Sequence, residues 1–203
     1  MKTQKLFVIV AIICLLVGAS GASMAQSPTT DCPGGVIVGG EHEGIRLTGL
    51  TDDESCVILG SAVIGSVIVT GTGKITIMNS YVEGDIRVID MFSATIVDND
   101  VGRSGGGHIV VRDVTESDVL RNLVGGNIRV IGTSEQDQID PITNVLYNET
   151  LGNLRVNGNF AADVRFNLAL QGNITCNNNV NLMASTNVAR GGRVACFTGL
   201  GLE

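Results

Sequence analysis

The sequence predicts an all-β fold, a parallel β-helix of about seven to eight coils with a repeat of roughly 20 residues, and three observations predict it. The first is a glycine followed by apolar residues two and four positions on. Gly65 leads to Val67 and Val69, Gly84 to Ile86 and Val88, and Gly107 to Ile109 and Val111. Gly126, Gly152, Gly172 and Gly192 repeat the pattern, with a looser copy at Glu43, Ile45 and Leu47. The second is a column of asparagines, Asn79, Asn99, Asn122, Asn148, Asn167 and Asn187. Its long steps coincide with those of the glycines, which places insertions at Gly102–Gly106 and Gly132–Pro141. The third is the unit length. About 20 residues cannot hold a strand, a crossover helix and a second strand, which take about 30. Apolar residues two apart mark strands with one buried face. An antiparallel sandwich would not require the same side chains to recur at a fixed period.

The elements follow in chain order. Lys2 and Lys5 precede an apolar run, Leu6 to Val17, and a small-residue exit ending at Ala25. This is the pattern of a signal peptide, residues 1–25, with Ala22 as the alternative cleavage point. The run is shorter than the ~20 apolar residues of a membrane span, the competing reading. Residues 26–42 form an N-terminal cap segment and residues 43–203 the β-helix. Stacking coils one strand spacing apart, about 4.8 Å, aligns Val67, Ile86, Ile109, Ile128, Leu154, Ile174 and Val194 in one inward column. Val69, Val88, Val111, Val130 and Val156 form the next. The asparagines are expected at bends, in left-handed backbone conformation and bonded to one another along the stack. The glycines are expected to permit the opposite bend.

Beyond the leader, four cysteines remain, an even number suited to an exported chain. Cys176 and Cys196 both lie four residues after a repeat glycine, so adjacent coils place them within disulfide reach. By elimination Cys32 pairs with Cys56. Four buried free thiols are the alternative.

Of the 203 residues, 13 are basic and 20 acidic, for a charge of −7, and aromatics are 3%. The leader removes two lysines, leaving 11 basic against 20 acidic residues and a charge of about −9. No basic run serves nucleic-acid phosphates, and no later stretch is apolar enough to span a bilayer. Neither His42 nor His108 has a partner at metal-ligand spacing, so no metal and no cofactor are expected. His108 is expected to be a solvated surface side chain. The acidic tracts Asp52-Asp53-Glu54 and Asp98-Asn99-Asp100 are the candidates for carboxylate chemistry, and polar turns are their plainer reading. Three positions after the repeat glycine, Arg87, Arg129 and Arg155 form an outward column. Asn127, Asn153 and Asn173 lie one position after it. Together they make a candidate ligand face, because guanidinium forks match sulfate or carboxylate groups.

Gly126-Asn127-Ile128-Arg129-Val130, Gly152-Asn153-Leu154-Arg155-Val156 and Gly172-Asn173-Ile174-Thr175-Cys176 resemble the repeats of secreted right-handed parallel β-helix proteins. The resemblance extends over about Glu41 to Thr198. It is similar to small bacterial exported proteins and, more weakly, to the bactofilins, which polymerise end to end. Asp98-Asn99-Asp100 with Gly106-Gly107-His108 is faintly similar to the polygalacturonases, whose paired-Asp and Arg-Ile-Lys motifs are missing here. The expectation is a non-catalytic, exported structural or adhesive protein of a cell surface, periplasm or wall, with no catalytic residues. A carbohydrate-binding or carbohydrate-active role and an end-to-end assembling subunit are the alternatives, with surface polysaccharide or a second copy as partner.

Overall fold

Each coil of the chain contributes three short apolar-alternating runs, and parallel stacking is the arrangement that buries all three at once. The computed structural model describes residues 32–132 and 142–196. The expected signal peptide, residues 26–31 of the expected cap segment and most of the Gly132–Pro141 insertion lie outside them. Among the described residues the regular structure is entirely β. It forms three parallel sheets of eight strands each, in which every strand but the two at the ends pairs with its counterparts one coil before and one coil after. The fold is therefore a parallel β-solenoid of about eight coils.

The first sheet contains Ile45–Leu50, Val67–Gly71, Ile86–Ile89, Ile109–Arg112, Ile128–Ile131, Leu154–Asn157, Ile174–Asn177 and Val194–Cys196. The second runs from Val36–Val38 through Ser55–Leu59 to Leu182–Ser185. The third consists of two-residue strands, from Glu41–His42 to Val188–Ala189. Val36–Val38 and Glu41–His42 already pair with the coil above, so the solenoid starts inside the segment expected to be a cap. In the first sheet Ile109 faces Ile86 and Ile128, and Val111 faces Val88 and Val130. Both expected inward columns are buried as far as Ile174. Val194, in the terminal coil, is 38% exposed, because no described coil covers it. Aliphatic side chains stacked this way form the bulk of the core, at roughly 25 cal/mol per Å² of apolar area removed from water.

The two glycine-and-asparagine columns differ from expectation in instructive ways. The repeat glycines do not have positive φ. Their need is close approach. A Cβ on Gly152 would lie 2.6 Å from the carbonyl oxygen of Gly126, and one on Gly84 would lie 2.7 Å from that of Gly65. Gly152 N–H donates to that same Gly126 oxygen at 2.8 Å. Backbone rests on backbone at this corner, so no side chain fits.

Left-handed backbone occurs one residue ahead of the asparagine column, between the second and third sheets. Gly60, Asn79, Asp98, Arg121, Tyr147, Phe166 and Thr186 all have φ between 50° and 61°. The residue that follows each of them turns toward the interior. There Ser61, Ser80, Asn99, Asn122, Asn148, Asn167 and Asn187 stand in line. Asn79 is thus an exposed corner residue, and Ser80 takes its place in the column. Asn99 Nδ2 donates to Asn122 Oδ1 at 3.0 Å, Asn122 to Asn148 at 3.0 Å, Asn148 to Asn167 at 3.0 Å and Asn167 to Asn187 at 3.1 Å. Each Oδ1 also accepts the backbone N–H of the preceding asparagine. The ladder satisfies buried polar groups that the corner would otherwise leave without partners. At the corner itself, the rings of Tyr147 and Phe166 stack with centroids 4.8 Å apart. That contact offsets part of the roughly 1–2 kcal/mol that a non-glycine residue loses in this conformation.

The cysteines pair as Cys32–Cys56 and Cys176–Cys196, with Cα separations of 5.4 and 4.5 Å. One bridge lies at each end of the described solenoid, where strand edges lack a neighbour and fray first. Two disulfides suit an oxidising compartment. No helix among the described residues is long and apolar enough to cross a membrane.

Candidate ligand-binding site

The corner that leads into the first sheet carries a second ladder, on the outside. One residue after each repeat glycine stand Ser66, Asp85, His108, Asn127, Asn153 and Asn173. Ser66 Oγ accepts the N–H of Asp85 at 3.0 Å, and Asp85 Oδ1 accepts the N–H of His108 at 2.9 Å. His108 Nδ1 accepts the N–H of Asn127 at 2.8 Å. Asn127 Oδ1 accepts the N–H of Asn153 at 2.8 Å, Asn153 that of Asn173 at 2.9 Å, and Asn173 that of Arg193 at 2.9 Å. Arg193 has no acceptor atom, so the side-chain chain of acceptors ends there.

This corrects the expectation for His108. It is half-buried and part of the ladder, not a solvated surface histidine. A backbone N–H can only donate, so Nδ1 is the acceptor and the ring proton sits on Nε2. The position after a repeat glycine is a corner whose side chain lies along the stack, and it does not follow the outward alternation of the strand. The ring of His42 sits 3.1 Å from the carbonyl oxygen of Gly39.

The outward arginines divide into two groups. Arg87 faces Ile68 and Val110 on the neighbouring strands. It is bound to Asp85, 2.7 Å away on its own strand approach. Burial pushes the Asp85 carboxyl up, but the hydrogen bonds from Arg87 and His108 N–H and the adjacent positive charge outweigh it and hold the carboxyl below the usual range. Arg129 and Arg155 are direct partners on adjacent strands, one strand spacing apart. Both are exposed, and among the described residues neither forms an ion pair or a hydrogen bond. They line an open groove of about 340 Å³ together with Asn127, Asn153, Asn173, Thr175 and Asn177. Five of the six residues of the sequence-derived face therefore meet here, and Arg87 does not. Thr175 and Asn177 were not foreseen. Register finds them, since Thr175 pairs with Arg155 and Asn177 with Asn157.

The acidic tracts are engaged elsewhere. Arg121 grips Asp98 with two bonds of 2.7 Å, which holds that carboxyl low. Arg103 lies 3.3 Å from Asp100. Glu54 Oε2 accepts the N–H of Thr51 at 2.8 Å, and Asp53 accepts the Thr51 hydroxyl at 2.8 Å, which closes a turn and lowers the Asp53 carboxyl. A carboxyl held ionised by arginine is poorly suited to act as a general acid. Among the described residues no three His, Cys, Asp or Glu side chains converge as a metal site.

Compared with protein-family models, with curated proteins and with solved structures, the chain matches none.

Proposed function

We propose that this protein is an exported, non-catalytic β-helix rod that adheres to glycans at a cell surface or envelope through the groove on its first sheet. One observation carries the reading. Arg129 and Arg155 stand side by side, flanked by amides, with no counter-ion among the described residues, in a chain whose charge is −7. A protein of that charge has little general attraction for polyanions, so two guanidinium groups on one β face that no described residue neutralises mark a selective contact. The groove falls within the size of small-ligand sites, about 300–1,000 Å³, and is open along the face, as a polymer requires. The leader-like residues 1–25 and the two disulfides support an extracytoplasmic setting. Arginine pairing of Asp98 supports a binding protein over a glycan-cleaving one.

The test is a screen of the purified protein against neutral and acidic glycans, with product release monitored, beside the double variant R129Q/R155Q. Saturable binding that the variant loses, without cleavage, is the expected result. Cleavage would overturn the non-catalytic reading, and binding untouched in the variant would overturn the site.

End-to-end assembly is the second reading. The terminal coil favours it, because Val188 and Val194 are exposed and the strands there pair on one side only among the described residues. Light scattering over a concentration series tests it, with growing mass expected from an assembling subunit.

A further inference from the structure

We infer that the ligand of this groove is a glycan bearing carboxylate or sulfate groups, and that the outer asparagine ladder is what makes the site selective for them. The inference rests on the glycan-binding reading and adds the chemistry of the ligand. Arginine alone would attract anions. The ladder additionally withdraws the acceptors that a neutral sugar would need.

Asn127 Oδ1 accepts both the backbone N–H and the Nδ2 of Asn153, at 2.8 and 3.1 Å. Asn153 Oδ1 accepts both from Asn173, at 2.9 and 3.3 Å. A carbonyl oxygen has two lone pairs, so these two oxygens are saturated by the neighbouring coil. Each of these amide nitrogens has two hydrogens, and Asn153 and Asn173 spend one of theirs inside the ladder. The second hydrogen of each enters no hydrogen bond among the described residues, and both amides line the groove beside Arg129 and Arg155, each with five N–H donors. The stretch of groove between Asn127 and Asn153 is consequently built of donors, whereas Asn173 Oδ1, which accepts only the Arg193 N–H, keeps one acceptor site toward the C-terminal end. Among the described residues no carboxylate lines the groove.

A sugar hydroxyl must donate as well as accept. Placed among these donors, its proton finds no acceptor and stays with water, so only its acceptor side contributes to binding. A carboxylate or sulfate has only acceptors, and charge-assisted bonds to guanidinium are roughly twice as strong as neutral ones. It also relieves the repulsion between two guanidinium groups about 4.8 Å apart at their backbones. At the C-terminal end of the groove the chemistry changes. Thr175 and Asn177 bring a hydroxyl and an amide whose oxygens accept no hydrogen bond within the described structure, and these suit the hydroxyls of the adjoining sugar.

The test is calorimetric titration with dextran, carboxymethyl dextran and dextran sulfate, which share a backbone and differ in charge. Wild type, R129Q/R155Q and a control, R46Q/R103Q, are compared. The expected result is that one or both charged dextrans bind at least about tenfold tighter than dextran, more weakly as salt rises. R129Q/R155Q should lose that advantage and R46Q/R103Q should keep it. The tighter of the two charged polymers identifies carboxylate or sulfate as the preferred group. Equal binding of uncharged dextran, lost in R129Q/R155Q, would overturn this inference and leave the glycan-binding reading standing. Charged-polymer binding reduced alike in both variants would show unspecific attraction and overturn the inference. Binding of any dextran that R129Q/R155Q leaves intact would overturn both.

Discussion

Asn122 and Asn148, 26 residues apart in sequence, are joined twice: Asn148 Oδ1 accepts the side-chain Nδ2 and the backbone N–H of Asn122, each at 3.0 Å. Asn148 in turn donates to the carbonyl oxygen of Val119 at 2.7 Å. Replacing Asn148 by alanine leaves these buried groups without partners, at about 1–3 kcal/mol each. Asn148→Ala should lower the unfolding free energy by about 3 kcal/mol in urea titration. Asn79→Gly, at an exposed position with φ of 50°, should leave it unchanged or slightly higher. Equal losses at the two sites would contradict the assignment of Ser80 to the ladder.

Gly152 tests the stacking corner. A methyl group there meets both the Gly126 carbonyl oxygen and Asn127 Oδ1 at 2.6 Å. Gly152→Ala should destabilise by about 1–3 kcal/mol, as overpacking does, although its φ lies in ordinary territory. A neutral effect on the thermal midpoint would mean that the coils stack less closely than the structure places them.

The disulfides should protect the ends. Bridging 20 residues, Cys176–Cys196 contributes roughly 3 kcal/mol on the chain-entropy account. In Cys176→Ser/Cys196→Ser, hydrogen exchange should quicken first in Ile174–Asn177 and Val194–Cys196, while Ile109–Arg112 stays protected. Uniform quickening along the solenoid would show that the end bridge stabilises the whole stack cooperatively.

Acid should weaken the outer ladder at Asp85. Its carboxyl is held below the usual aspartate range, so it binds protons more readily in the unfolded chain than in the folded one. Its contribution is therefore fully present above the ordinary aspartate range and is lost as pH falls through the folded value. The urea midpoint should decline over that acidic interval, and Asp85→Asn, which keeps an acceptor for His108 N–H, should flatten the decline. An unchanged slope would mean that Asp85 does not carry the effect.

Much of the architecture was legible because a solenoid repeats its physics. Each coil needs apolar residues at the same two strand positions and a side-chain-free corner, so Ile86, Ile109, Ile128 and their neighbours announce the register. The corners were harder to read. Asparagine is favoured both in left-handed backbone and in a side-chain ladder, and these two positions are consecutive, so Asn79 passes for a ladder member until Ser80 is seen bonded to Asn99. The repeat glycine invites an explanation by φ, and only stacked backbones show that space is the constraint. The arginine column was visible as a spacing. That Arg87 leaves it for Asp85, and that Thr175 and Asn177 join the groove, depends on which side chains the neighbouring coils place beside them.

The central claim is that Arg129, Arg155 and the adjoining amides form the ligand-binding face. The most direct measurement is side-chain and backbone NMR of the labelled protein during titration with the glycan that binds in the screen. The account predicts shifts confined to the arginine Nε and amide Nδ2 groups between Asn127 and Asn177. Shifts centred on Asp98 and Asp100, or on the terminal coil around Val188 and Val194, would contradict it.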